Sequence, residues 1–126
     1  MTEACCLVVT RTQRPLASNV TIAKTWWSKM AGLLGRSHLP ANEGLLLPGC
    51  RSIHTCGMRF AIDAVFVDRG WQVVALKPNL VPWRLVWPVW KAWGVIELAS
   101  GSLQHTDVKA GDWLRLIEPT DCGRSA

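Results

Sequence analysis

Tyrosine is absent from this chain of 126 residues and phenylalanine occurs twice, so indole rings from eight tryptophans dominate its aromatic content. Charged residues make up only 18% against 49% hydrophobic, a balance that excludes natively unfolded, collagenous and coiled-coil readings. No basic run occurs either: the 14 Lys and Arg are scattered, and the net charge of +5 is diffuse. Such a charge favours solubility and weak attraction to polyanions, without the patterned stripe that would announce specific nucleic-acid binding. Long charge-free apolar stretches are also missing. The most apolar region, residues 80–96, is broken by Pro82, Arg84, Pro88 and Lys91, which argues against a transmembrane helix. The N-terminus has an early acid and no basic segment, so no secretory signal is expected. Five cysteines are an odd number. With no export signal they read as reduced thiols in a cytoplasmic setting, forming neither a disulfide nor a zinc site.

At this length one domain spanning residues 1–126 can bury roughly two thirds of its unfolded surface, so no staple or cofactor is needed for folding. Residues 5–10 and 20–23 read as short β-branched strands around a turn at Arg11, Thr12, Gln13, Arg14 and Pro15. Thr25 can cap a helix in which Trp26, Trp27, Met30, Leu33 and Leu34 recur at helical spacing before Gly35 ends it. This is the principal helix. Strands follow at residues 44–47, 61–67 and 71–76, the last two joined by a tight turn at Asp68, Arg69 and Gly70 with Gly70 at positive φ. Residues 78–93 contain three prolines and read as an irregular connection. Residues 95–99 and 113–117 complete the strands, with an irregular turn at 100–106. The expected fold is a mainly β, α+β domain: a small closed or half-closed barrel of short antiparallel or mixed strands with one principal helix.

Alternation places Asp63 beside Val65 and Val67 on one face of an apolar strand, and Glu97 beside Val95 and Ala99 on one face of another. Burying either carboxylate unpaired costs several kcal/mol, so each is expected to meet an Arg, a His or backbone donors. Arg36, His54, Arg59 and Arg84 are the candidate partners. His54 lies in a polar, glycine-containing loop before the Asp63 strand, suited to a site rim and, by its ordinary pKa, to acid–base work. Cys50, His54 and Cys56 have a spacing unlike common structural zinc sites, so no metal is expected. Trp83, Trp87, Trp90 and Trp93 could stack on rings, lie at a membrane interface or cover one end of a barrel. The prolines between them predict a split, with most rings buried and one or two exposed.

The run Ile53-His54-Thr55-Cys56-Gly57-Met58-Arg59-Phe60-Ala61-Ile62-Asp63-Ala64-Val65-Phe66-Val67-Asp68 follows Gly32-Leu33-Leu34-Gly35-Arg36. It precedes Ile96-Glu97-Leu98-Ala99-Ser100-Gly101 and Gly111-Asp112. Over residues 20–116 this order and spacing resembles the family known as domain of unknown function 192. The resemblance implies a small β-rich barrel-like fold with one principal helix and brings no established biochemical activity. It marks Arg36, His54, Met58, Arg59, Asp63, Glu97, Gly101 and Asp112 as the motif positions.

The leading expectation is a binding module without a cofactor, taking a small polar or anionic ligand at a barrel mouth rimmed by the His54 loop and the Trp-rich connection. Arg36, His54, Met58, Arg59, Asp63 and Glu97 are its candidate ligand-binding residues. One alternative is a small hydrolase-like enzyme using His54 and a carboxylate. Another is an accessory domain that binds a protein partner through Trp83, Trp87, Trp90 and Trp93.

Overall fold

The computed structural model describes residues 4–22, 39–53, 55 and 58–118, and the helix expected over residues 25–35 lies outside them. Strands β1 (Ala4–Val9), β2 (Arg14–Ile22) and β3 (Glu43–Pro48) come first, then β4 (Ile62–Val67), β5 (Val73–Leu80) and β6 (Gly94–Ala99). A five-residue helix, α1 (Ser102–Thr106), stands where an irregular turn was expected, and β7 (Leu114–Ile117) follows it. The seven strands form one sheet in the order β5-β4-β6-β3-β2-β1-β7. Every neighbouring pair is antiparallel except β2 and β3.

The sheet curls until its two edges meet at one end. Gln72 bridges Trp113, the Val73 amide donates to the Asp112 carbonyl (2.8 Å), and the Leu114 amide donates to the Trp71 carbonyl (2.9 Å). The root of β5 is thereby stitched to the root of β7. Edge strands that pair in this way present fewer open backbone groups to other chains. The result is the half-closed, barrel-like α+β fold that the strand pattern predicts.

Burial divides along the two faces of the sheet. Leu7, Leu16, Val20, Leu46, Val65, Val73, Ile96 and Leu114 meet in one core to which all seven strands contribute, so this is the concave side. Ile62, Ala64, Phe66, Leu47 and Val95 form a second core on the convex side, roofed by Ile53, Met58, Val86 and Ala92 from outside the sheet. All six residues of β4 are buried, because it is covered on both faces. That explains its near-continuous apolar run.

β2 and β5 reach beyond their expected ranges and take a proline into their interiors. Pro15 lies in β2 and Pro78 in β5. β3 pairs only with residues 19–22 of β2, so Pro15 faces no ladder on that side, and β5 is an edge strand beyond its root. A proline on an unpaired edge costs no ladder hydrogen bond.

The β4–β5 turn also departs from expectation. The positive φ falls on Trp71 (φ 69°) and not on Gly70. The turn closes by the Trp71 amide on the Asp68 carbonyl and the Asp68 amide on the Gln72 carbonyl. Asp68 Oδ1 also accepts from the amides of Gly70 and Gln72, both at 2.9 Å. In a three-residue hairpin loop the left-handed conformation belongs to the last loop residue, here Trp71. Its indole packs edge-on against Trp93, with centroids 5.9 Å apart.

Cys6, buried on β1, is disulfide-bonded, with its partner outside the described residues. This corrects the expectation of five reduced thiols and removes the argument from cysteine for a reducing compartment. Among the described residues no helix is long and apolar enough to cross a membrane. Thiol titration in denaturant without reductant is expected to count three of the five cysteines; a count of five would contradict the bond.

Candidate functional site

Asp63 is buried on the concave side, opposite Leu98 in the β4–β6 ladder. It meets backbone donors and no cationic side chain among the described residues. Its Oδ1 accepts from the Asn79 amide (2.7 Å), and its Oδ2 from the amides of Gly101 (3.1 Å) and Leu103 (2.9 Å). The register of β4 against β5 slips between Ile62 and Ala64, and Asn79, with φ 51°, sits in that irregularity. Gly101 supplies the left-handed φ of 94° that aims its amide at the carboxylate as α1 begins. The carboxylate thus joins the β5 bulge to the first turn of α1 and seals the end of the barrel away from the stitched edges.

Glu97 is equally buried but stands on the other face. It pairs with Ala64 of β4 and Leu45 of β3, both on the convex side, and it is not without a partner there. Because paired strand residues share a face, the sheet separates Asp63 from Glu97. Met58 lies in the convex core beside the Glu97 face, and Arg59 is exposed. Arg36 and His54 fall outside the described residues, as does Cys56 of the Cys50-His54-Cys56 spacing. The expected cluster is therefore divided, with Asp63 on one side of the sheet and Met58 and Glu97 on the other.

Asp112 precedes β7 and is clasped by Arg11 from the β1–β2 turn. Nε and Nη2 of the guanidinium donate to its two oxygens at 2.9 and 3.1 Å, and the Lys109 amide donates at 2.8 Å. Nη2 also reaches the Asp107 carbonyl at 2.7 Å. The Arg11 hydrogen bonds hold the Asp112 carboxyl below its ordinary pKa, and the same contact raises that of Arg11. This pair fastens the connection between α1 and β7.

The Trp-rich segment lies across the convex face of the sheet and not over either end of the barrel. Its anchor is Thr55, fully buried. The Thr55 hydroxyl donates to the Val81 carbonyl (2.6 Å) and accepts from the Arg84 amide (2.8 Å), while its amide donates to the Arg84 carbonyl (2.8 Å). The amides of Val86 and Val89 donate to the carbonyls of Ile53 and Arg51. Residues 81–89 thus form a strap laid beside residues 51–55, with Val86 turned inward. Trp83, Trp87 and Trp90 are largely exposed and only Trp93 is half-buried, which corrects the expected majority of buried rings. The small or branched Val86, Val89 and Ala92, at every third position, take the inward places, and the larger rings between them are left outside.

A second arrangement was not foreseen. Arg51, Arg69 and Lys91 line a cavity of about 660 Å³ together with Trp90, Trp93 and the 68–70 turn. No salt bridge engages these three cations among the described residues. They come from three separate loops, so no sequence spacing joins them; the one available signal is that each lies within two residues of a glycine or tryptophan. Arginine guanidinium groups suit planar carboxylate or phosphate, and the indoles offer an apolar wall.

The curled sheet, its sealed end and its strap define a small barrel-like α+β domain. The chain belongs to the DUF192 family, described as "Uncharacterized ACR", whose family model matches residues 7–116. It is 31% identical over 97 residues to a UPF0127 protein of Thermococcus sibiricus, covering 74% of this chain and 62% of that protein's length. In fold it is similar to a Sinorhizobium meliloti 1021 protein described as a candidate transcription regulator, with a TM-score of 0.76 and 20% identity over 92% of this chain and 94% of that one. A protein of unknown function from Novosphingobium aromaticivorans DSM 12444 is also similar, with a TM-score of 0.74 and 19% identity over 90% and 84% of the two chains.

Asp63→Ala leaves three amides without their acceptor and is expected to cost about 2–3 kcal/mol, at roughly 1 kcal/mol each. Asp63→Asn is also expected to destabilise, because its NH2 would face a donor. Urea denaturation checks both, and an unchanged midpoint for Ala would refute the role given to this carboxylate. For Asp112 the folded pKa lies below the ordinary 3.8, so its stabilisation is complete above that pH and is lost as pH falls through the lowered value. The midpoint gap between wild type and Asp112→Asn should therefore be constant near neutrality and narrow below about pH 4. A gap independent of pH would contradict the Arg11 contact.

Proposed function

We propose that this protein is a binding module for a small anion that carries a flat or apolar part, taken between the 68–70 turn and the end of the strap. The observation that carries this reading is the convergence of Arg51, Arg69 and Lys91 on one open cavity walled by Trp90 and Trp93. Like charges brought together on a surface repel, and an anionic ligand relieves that repulsion while forming charge-assisted hydrogen bonds. The volume falls within the roughly 300–1,000 Å³ of ordinary ligand pockets. Asp68 is the one acid on this rim against three cations, which leaves the cavity positive in balance, and its Oδ1 is already held by two turn amides.

The hydrolase-like alternative needs His54 and a carboxylate together. Asp63 is a poor candidate for that carboxylate, since both its oxygens hold backbone amides, so the alternative rests on Glu97. No described observation favours it over binding.

Isothermal titration with 1-naphthoate and with pyrophosphate tests the proposal. The naphthoate, an anion with a flat ring, is expected to bind more tightly than pyrophosphate, and Arg51→Glu to weaken both by about tenfold or more. Affinity untouched by Arg51→Glu, or indole N–H shifts confined to tryptophans other than Trp90 and Trp93, would refute it.

A further inference from the structure

We infer that the outer face of the strap is a docking surface for an anionic lipid bilayer. Four large apolar side chains lie side by side in sequence with their surfaces in solvent: Trp83 is 71% exposed, Leu85 74%, Trp87 84% and Trp90 75%. A soluble surface rarely leaves so many indoles uncovered, and a contiguous apolar patch marks an interaction site.

These side chains cannot fold back onto the protein. The inward positions beneath them are filled by Val86, Val89 and Ala92, and the strap backbone is bonded to Arg51, Ile53 and Thr55. Trp83 is held at a φ of 68°, a conformation unfavourable for a bulky residue, between Val81 and Arg84, whose backbones both bond to Thr55. The outward array is preorganised, so docking would demand little ordering.

Charge identifies the occupant. Over the 28 residues between Asp68 and Glu97 there is no acid, while Arg69, Lys77, Arg84 and Lys91 are all exposed. Lys77 pairs with Ala64 and so stands on the strap's side of the sheet, and Glu97 on that side is buried. Indole prefers the boundary between headgroups and acyl chains, and flanking cations are drawn to anionic lipid. A second copy of this chain would set one positive strap against another in a two-fold contact, which disfavours self-association through this face. A bilayer supplies an extended surface of single negative sign beneath an apolar layer, which is the complement of this face.

The face shares Trp90, Arg69 and Lys91 with the anion cavity, but Trp83, Leu85 and Trp87 do not line it, so the two surfaces can be tested separately. Co-sedimentation with mixed phosphatidylcholine–phosphatidylglycerol vesicles tests it. Wild type is expected to bind these vesicles, to bind pure phosphatidylcholine far less, and to be released as salt is raised. The triple variant Trp83→Ser, Leu85→Ser, Trp87→Ser should lose vesicle affinity about tenfold or more while keeping 1-naphthoate binding. The double variant Lys77→Glu, Arg84→Glu leaves the indoles in place and should weaken binding to anionic vesicles alone. Failure of wild type to bind anionic vesicles, or equal binding by the triple variant, would overturn the inference. A concentration-dependent dimer abolished by the triple variant would also overturn it, assigning the face to a second copy.

Discussion

The carboxylate of Asp63 is a single buried charge with three backbone donors, and the far end of the barrel is organised around it. A charge in that position is tolerable only because amides replace the water it gave up. Those amides come from residues distant in sequence, so their geometry fixes where β5 bulges and where α1 starts. Asn79 and Gly101 adopt left-handed conformations that the carboxylate bonds hold in place. Once α1 is set, Leu103 can pack on the concave core, and Val108 after it enters that core. Arg11 then clasps the connection that follows, and β7 pairs with β1.

The opposite end is joined by backbone hydrogen bonds between the roots of β5 and β7. With one end stitched, the other sealed and the interior filled by side chains from every strand, the surface of the domain becomes the place for recognition. Two surfaces offer it. The cavity of Arg51, Arg69 and Lys91 combines positive charge with indole walls, while the strap presents apolar side chains among cations. They share Trp90 yet differ in chemistry, one concave and suited to a small anion, the other extended and suited to a broad negative surface.

Much of the strand pattern was legible in the sequence, because a strand covered on both faces must be apolar throughout and a chain at a turn needs particular residues. β4 was readable for the first reason, and the Asp68 turn for the second. Pro15 and Pro78 misled for an equally definite reason: proline reports a missing donor, and sequence alone does not say whether that donor would have faced a neighbour or an open edge. Trp71 concealed its left-handed backbone in the same way, since its carbonyl is held by the Leu114 amide and its ring by Trp93, both distant in sequence.

The candidate site was less legible. Alternation correctly assigned Asp63 and Glu97 to buried positions, and nearest neighbours along each strand gave the face each shares. The sequence by itself determined the strand periodicity, the burial of both acids and the family to which the chain belongs. Only the tertiary structure decided that the two acids lie on opposite sides of one sheet, that Cys6 is bonded, that the tryptophans of the strap point outward and that three cations from separate loops converge. The reason is one of range: periodicity is a property of neighbours along the chain, whereas strand pairing, strap placement and loop convergence depend on which distant segments meet.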